Sequence, residues 1–138
     1  MDTTAPRHTN WQPVEALPLI AQMITDGVEN ASEHLATIRQ ARPGSLDDAT
    51  VSRIERVFGE AATFVDIYQE QLSQWQREPL TVAQAAEVTE LLVQVAKLRS
   101  LTVSILGRVA ELKTQTIESI LSLDDAALGM AVLLRGKL

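Results

Sequence analysis

Residues 51–75 read VSRIERVFGEAATFVDIYQEQLSQW, and their spacing decides the fold. Val51, Phe58, Val65 and Leu72 recur every seven residues, and Ile54, Ala61, Tyr68 and Trp75 fill the second seam position. Four unbroken heptads put one apolar stripe along a helix that must pack against other helices. Pro79 ends it, because a proline removes an N–H and clashes with the preceding turn. Upstream, Ser45 followed by Asp48 is a variant of the capping box, with Asp in place of Glu or Gln. Asp47 and Asp48 also suit the positive end of a helix.

The flanking segments read the same way. Leu17, Ile20, Ile24, Val28, Ala31, Leu35 and Ile38 step by three and four, one face of a first helix. It starts near Pro18, a residue suited to a first turn, and stops at Arg42-Pro43-Gly44. Beyond Pro79, Thr81 and Gln84 form another capping box. Val88, Val95, Thr102, Val109 and Thr116 make one seam of a third helix, and Leu91, Leu98, Ile105 and Leu112 the other. Leu92, Leu106 and Ile120 widen the stripe. This helix is predicted to run to about Leu121, roughly 60 Å at 1.5 Å per residue, with continuity through Gly107 left open. A short last helix is predicted after Asp124 and Asp125, ending at Gly136. The expected fold is therefore all-α: an antiparallel bundle of three long helices plus a short C-terminal helix. Residues 1–16, punctuated by Pro6 and Pro13, read as an N-terminal arm, and residues 17–138 as one bundle domain.

Composition narrows the function classes. The chain has 138 residues, of which 46% are hydrophobic but only 4% aromatic, so the core is aliphatic. There is no cysteine, which removes disulfides, thiolate catalysis and Cys-based metal centres. No apolar run is long enough to span a bilayer, and the first dozen residues do not read as a signal peptide. A cytoplasmic protein with no membrane contact is expected. Twelve Lys and Arg are scattered among eighteen Asp and Glu, for a net charge of −6. The pairs Arg39 with Arg42 and Arg53 with Arg56 are local, so nucleic acid is not the expected partner.

Few residues carry a pattern suited to chemistry. His8 falls in the arm, and His34 has Ala31 rather than Glu three residues before it, so no di-iron Glu-x-x-His pair exists. His-Glu-x-x-His, Gly-x-Ser-x-Gly and the Gly-rich phosphate loop are all absent. Glu29 with Glu33, and Glu87 with Glu90, sit at helical spacing. Oxygen ligands of that kind suit Mg²⁺. In spacing alone they resemble the acidic pairs of all-helical nucleotide pyrophosphohydrolases, which implies a Mg-dependent hydrolase as an alternative. The partner-helix Glu-x-x-Asp of such enzymes is missing. No cofactor is expected.

Short loops make neighbouring helices antiparallel. A hairpin about Pro43-Gly44 sets Gly27 level with Gly59, so these two mark either a close helix crossing or a small-ligand pocket. It also sets Trp75 opposite Gln12. Past about Lys113 the third helix overshoots the hairpin, yet it stays apolar. Apolar surface of that extent asks for a cover, either a folded-back last helix or a second chain. Leu112, Thr116, Ile117, Ile120, Leu121, Leu128 and Val132 are the expected interface residues. The function expected from this is a non-catalytic adaptor or scaffold that works as a homodimer and binds another protein.

Overall fold

The computed structural model describes the backbone of residues 11–136 and the side chains of residues 11–115. A single 3-10 turn at Val14–Ala16 leads into α1 (Leu17–Gln40), followed by α2 (Asp48–Gln76) and α3 (Val82–Gly136). No strand occurs among the described residues.

Each boundary has a local cause. Pro18 occupies the first turn of α1, where its missing N–H leaves no partner wanting. α1 ends at Gln40, and Ala41 is extended. Gly44 then takes φ 81°, in the left-handed region that favours glycine, and turns the chain toward α2. Ser45 does not cap α2 as its sequence position suggests. Its hydroxyl donates to the Arg42 carbonyl at 2.6 Å and closes the turn. Asp47 takes the N-cap, and its carboxylate accepts from the Thr50 backbone N–H at 2.7 Å. At α3 the capping box forms as read: Gln84 N–H donates to Thr81 Oγ1 at 3.0 Å and Thr81 N–H to Gln84 Oε1 at 2.9 Å.

The Asp47 cap is sensitive to acid. Hydrogen bonding by the Thr50 side chain, and then by its backbone N–H, holds the carboxyl below its ordinary value. A folded value below the unfolded one stabilises the fold above the ordinary carboxylate range, and that contribution is lost as pH falls through the lowered value. Asp47→Ala is therefore expected to melt at a lower temperature than the parent at neutral pH. The difference should close in acid, as thermal melts across pH would show.

The short, separate C-terminal helix is not present. α3 is one helix of 55 residues from Val82 to Gly136, continuous through Gly107 and through Asp124-Asp125. No proline lies within it. Aspartate or serine inside a helix costs only about 0.7 kcal/mol or less against alanine. Cap-type residues start a new helix only where the preceding one has stopped, and propagation of an existing helix needs no second nucleus.

α3 is the spine. α1 and α2 each pack along it, and their backbones scarcely approach each other. Gly27 of α1 lies by Leu98, and the end of α1 lies by Arg108, so α1 runs parallel to α3. The ion pairs Arg99–Asp66 and Lys113–Glu55 show that α2 runs antiparallel to it. Every α3 seam residue from Val88 to Leu112 is buried, as are Ile24, Val28, Ala31, Leu35 and Ile38 of α1 and Phe58, Val65, Leu72 and Trp75 of α2. Thr102, in the α3 seam and 1% exposed, donates its hydroxyl to the Leu98 carbonyl at 2.8 Å. That back-bond lets a polar residue sit in an aliphatic core.

Two polar clamps fix the ends. At one end the indole Nε1 of Trp75 donates to the Gln12 carbonyl at 2.9 Å, and the Gln12 N–H donates to Gln71 Oε1 at 2.7 Å. The segment before α1 is thereby tied to the last turns of α2. At the other end Arg108 Nη2 donates to the Ala41 carbonyl at 3.0 Å and Nη1 pairs with Glu111 at 3.1 Å. A cation at the negative end of α1 satisfies carbonyls that the helix leaves unpaired.

Candidate functional site

Because α1 and α2 both lie on α3 without closing on each other, a groove runs between them. His34 Nδ1 lies 2.9 Å from the Asn30 carbonyl, and its ring meets Phe58 edge-on with centroids 5.3 Å apart. Those rings divide the groove. Toward the α1 C terminus lies a recess of about 420 Å³, with Glu33, Thr37, Ile38, Leu46, Arg53 and Val57 among its walls. Toward the α1 N terminus lies a smaller one of about 130 Å³, between Met23, Gly27, Phe64 and Tyr68, with Leu98 of α3 at its floor. Met23 is 41% exposed, Val57 44% and Phe64 50%. Phe64 stacks on Tyr68 at 6.4 Å between centroids. Burial raises the Tyr68 phenol above its ordinary value. The walls are mainly apolar, with one guanidinium, one carboxylate and one imidazole along the larger recess.

The paired carboxylates singled out by their spacing do not converge. Glu29, Glu33, Glu87 and Glu90 are all exposed, and only Glu33 lines a recess of the groove. Glu90 accepts a hydrogen bond from Gln94 within its own helix. Among the described residues no three His, Asp or Glu side chains gather as metal ligands would. No buried side-chain nitrogen or oxygen among them lacks a hydrogen-bond partner.

Gly27 and Gly59 do not meet. A Cβ on Gly27 would lie 3.2 Å from Leu98 Cδ2, so the close approach is between α1 and α3. A Cβ on Gly59 would meet nothing within 4 Å. Gly59→Ala is accordingly expected to raise stability by about 1 kcal/mol, the helix-propensity difference at an exposed site. Gly27→Ala should gain less or lose, since Leu98 is 5% exposed and its Cδ2, 3.2 Å from the added Cβ, must give way. Equal gains for both in thermal melts would show that the α1–α3 crossing is loose.

Of the expected interface residues, Leu112 is 3% exposed within its own chain's core. Thr116, Ile117, Ile120, Leu121, Leu128 and Val132 follow it on the same helix, and their side chains lie outside the described residues. Sequence reasoning did not find the groove. A signal for it existed: Val57 and Phe64 repeat at seven residues beside Phe58 and Val65, an apolar face wider than contact with α3 alone requires.

Comparison with protein-family models, with curated proteins and with solved structures finds no match for this chain. No described helix is long and apolar enough to cross a membrane.

Proposed function

We propose that the protein is a non-catalytic helical adaptor that acts as a homodimer and binds another protein, in the cytoplasm. The observation that carries this reading is the unbroken course of α3. After Lys113, which pairs with Glu55 near the start of α2, the helix continues to Gly136 without reversing. At about 1.5 Å per residue that continuation is roughly 35 Å long. Its sequence places Ile117, Ile120, Leu121, Leu123, Leu128, Met130, Val132, Leu133 and Leu134 around most of the helix circumference. A helix apolar on most sides is a buried helix. An unbroken helix cannot fold back over itself, so a second chain is the natural cover, and twofold closure is the commonest arrangement.

The Mg-dependent hydrolase alternative would need Glu29, Glu33, Glu87 and Glu90 to converge, and the carboxylates are dispersed. A small-ligand reading is left with the groove rather than with a Gly27–Gly59 pocket.

The double substitution Ile117→Glu and Ile120→Glu tests the adaptor reading. It is expected to halve the solution mass while circular dichroism still reports a folded helical bundle. A variant that remains fully dimeric would overturn the proposed interface.

A further inference from the structure

In one chain the groove between α1 and α2 is open, and α3 runs on past the bundle. We propose that residues 116–136 of a second copy occupy the groove between α1 and α2, reciprocally, so that each half of the dimer is a four-helix bundle completed by its partner. This inference rests on the homodimer reading above and adds where the second chain sits.

Length supports it. The groove extends along α1 from Met23 to Ala41, about 27 Å, and the segment 116–136 spans about 30 Å. Polarity supports it too. Met23, Val57 and Phe64 leave an apolar strip along the smaller recess, whereas the other exposed large hydrophobics among the described residues, Leu19, Ile67, Val82, Val93 and Val103, do not line the groove. The segment supplies aliphatic residues on most of its faces. Its acids, Glu118, Asp124 and Asp125, come in its first half. They would enter first past the end of the groove lined by Arg53, where Glu33 lines the recess and Asp47 and Asp48 stand at the start of α2 as opposing charges.

Direction decides which chain fills the groove. α3 leaves the bundle at the end where Arg108 holds the last carbonyls of α1, and it leaves as an unbroken helix. To enter its own groove it would have to reverse, which a continuous helix does not do. A twofold axis across α3 just beyond Lys113 instead sends each continuation antiparallel along the other copy's α3, straight into the open side between that copy's α1 and α2. The result has two helices up and two down in each bundle, and the same contact made twice closes the assembly.

The absence of cysteine makes a direct test available. Thr37 lines the larger recess and is exposed. In Thr37→Cys, thiol labelling is expected to slow about tenfold or more in the dimer, where reagent reaches the thiol only through transient opening. Full reactivity should return when Ile117→Glu and Ile120→Glu are added. Equal labelling rates in the dimer and in that monomeric variant would overturn the proposal. A second variant, Val57→Glu with Phe64→Glu, changes residues that are half-exposed and outside the seam. It is expected to be monomeric with its helical signal intact. If it stays dimeric while Ile117→Glu/Ile120→Glu dissociates, the groove assignment fails and the homodimer reading stands. If the unaltered chain is itself monomeric, both fail.

Discussion

Replacing Trp75 with alanine is expected to lower the unfolding free energy by about 3–5 kcal/mol, the usual cost of emptying a large aromatic site in a core. Trp75 is fully buried, and it is the largest of the side chains below 2% exposure. It closes the end of the bundle where α2 stops, and its indole N–H donates to the Gln12 carbonyl. The truncation therefore removes packing and also one of the bonds that tie the chain before α1 to α2. Gln71, itself 3% exposed, still holds Gln12 through its amide oxygen at 2.7 Å, so the segment should loosen rather than leave. Trp75→Phe separates the two effects. It keeps most of the apolar volume and loses the indole donor, and about 1–2 kcal/mol is expected from the lost bond and the smaller ring. Urea unfolding of both variants measures this. An alanine variant as stable as the parent would mean that the Trp75 site is not the packed end of the core.

Leu112→Ala is expected to cost about 2–5 kcal/mol, because a buried leucine leaves a cavity that its neighbours only partly fill. The informative form of the measurement places it in the Ile117→Glu/Ile120→Glu background, where association is removed. Leu112 is 3% exposed in a single chain and continues the seam formed by Leu98 and Ile105. Its loss should therefore lower stability in the monomer as much as in the dimer. If Leu112→Ala changed only the concentration dependence of melting and left the monomer untouched, Leu112 would belong to the contact between chains. The boundary between core and interface would then lie a turn earlier on α3.

Most of the fold was legible from spacing. The heptads of α3 name its buried seam residue for residue from Val88 to Leu112, while on α2 Phe58, Val65, Leu72 and Trp75 are buried and Val51, Ile54, Ala61 and Tyr68 only partly so, because a helix packed on one face writes its burial into a period near 3.5. The Thr81–Gln84 box was legible because both halves of it are local in sequence. The placing of Trp75 opposite Gln12 followed from antiparallel chain heights alone, and the hydrogen bond between them matches it. What spacing could not give was the neighbour of each face. Setting Gly27 level with Gly59 assumes that helices joined by a short loop touch. In the structure both helices pack on α3 as the shared spine, and Gly27 meets Leu98 instead. The groove follows from that same rearrangement. Arg108 was equally invisible, since its partners Ile38 and Ala41 are distant in sequence and are backbone carbonyls, which no residue type announces. The separate last helix was read from Asp124 and Asp125 as start signals. Within a chain already helical and free of proline, two aspartates are too weak to stop propagation.

We propose that the long continuation of α3 is covered by a second copy of the chain. The absolute solution mass, from light scattering behind a sizing column, tests it most directly. Elution volume alone would mislead, because an elongated helical protein runs large. A mass of twice 15.1 kDa is expected across the micromolar range, falling to 15.1 kDa in Ile117→Glu/Ile120→Glu. A mass of 15.1 kDa for the unaltered chain at those concentrations would contradict it.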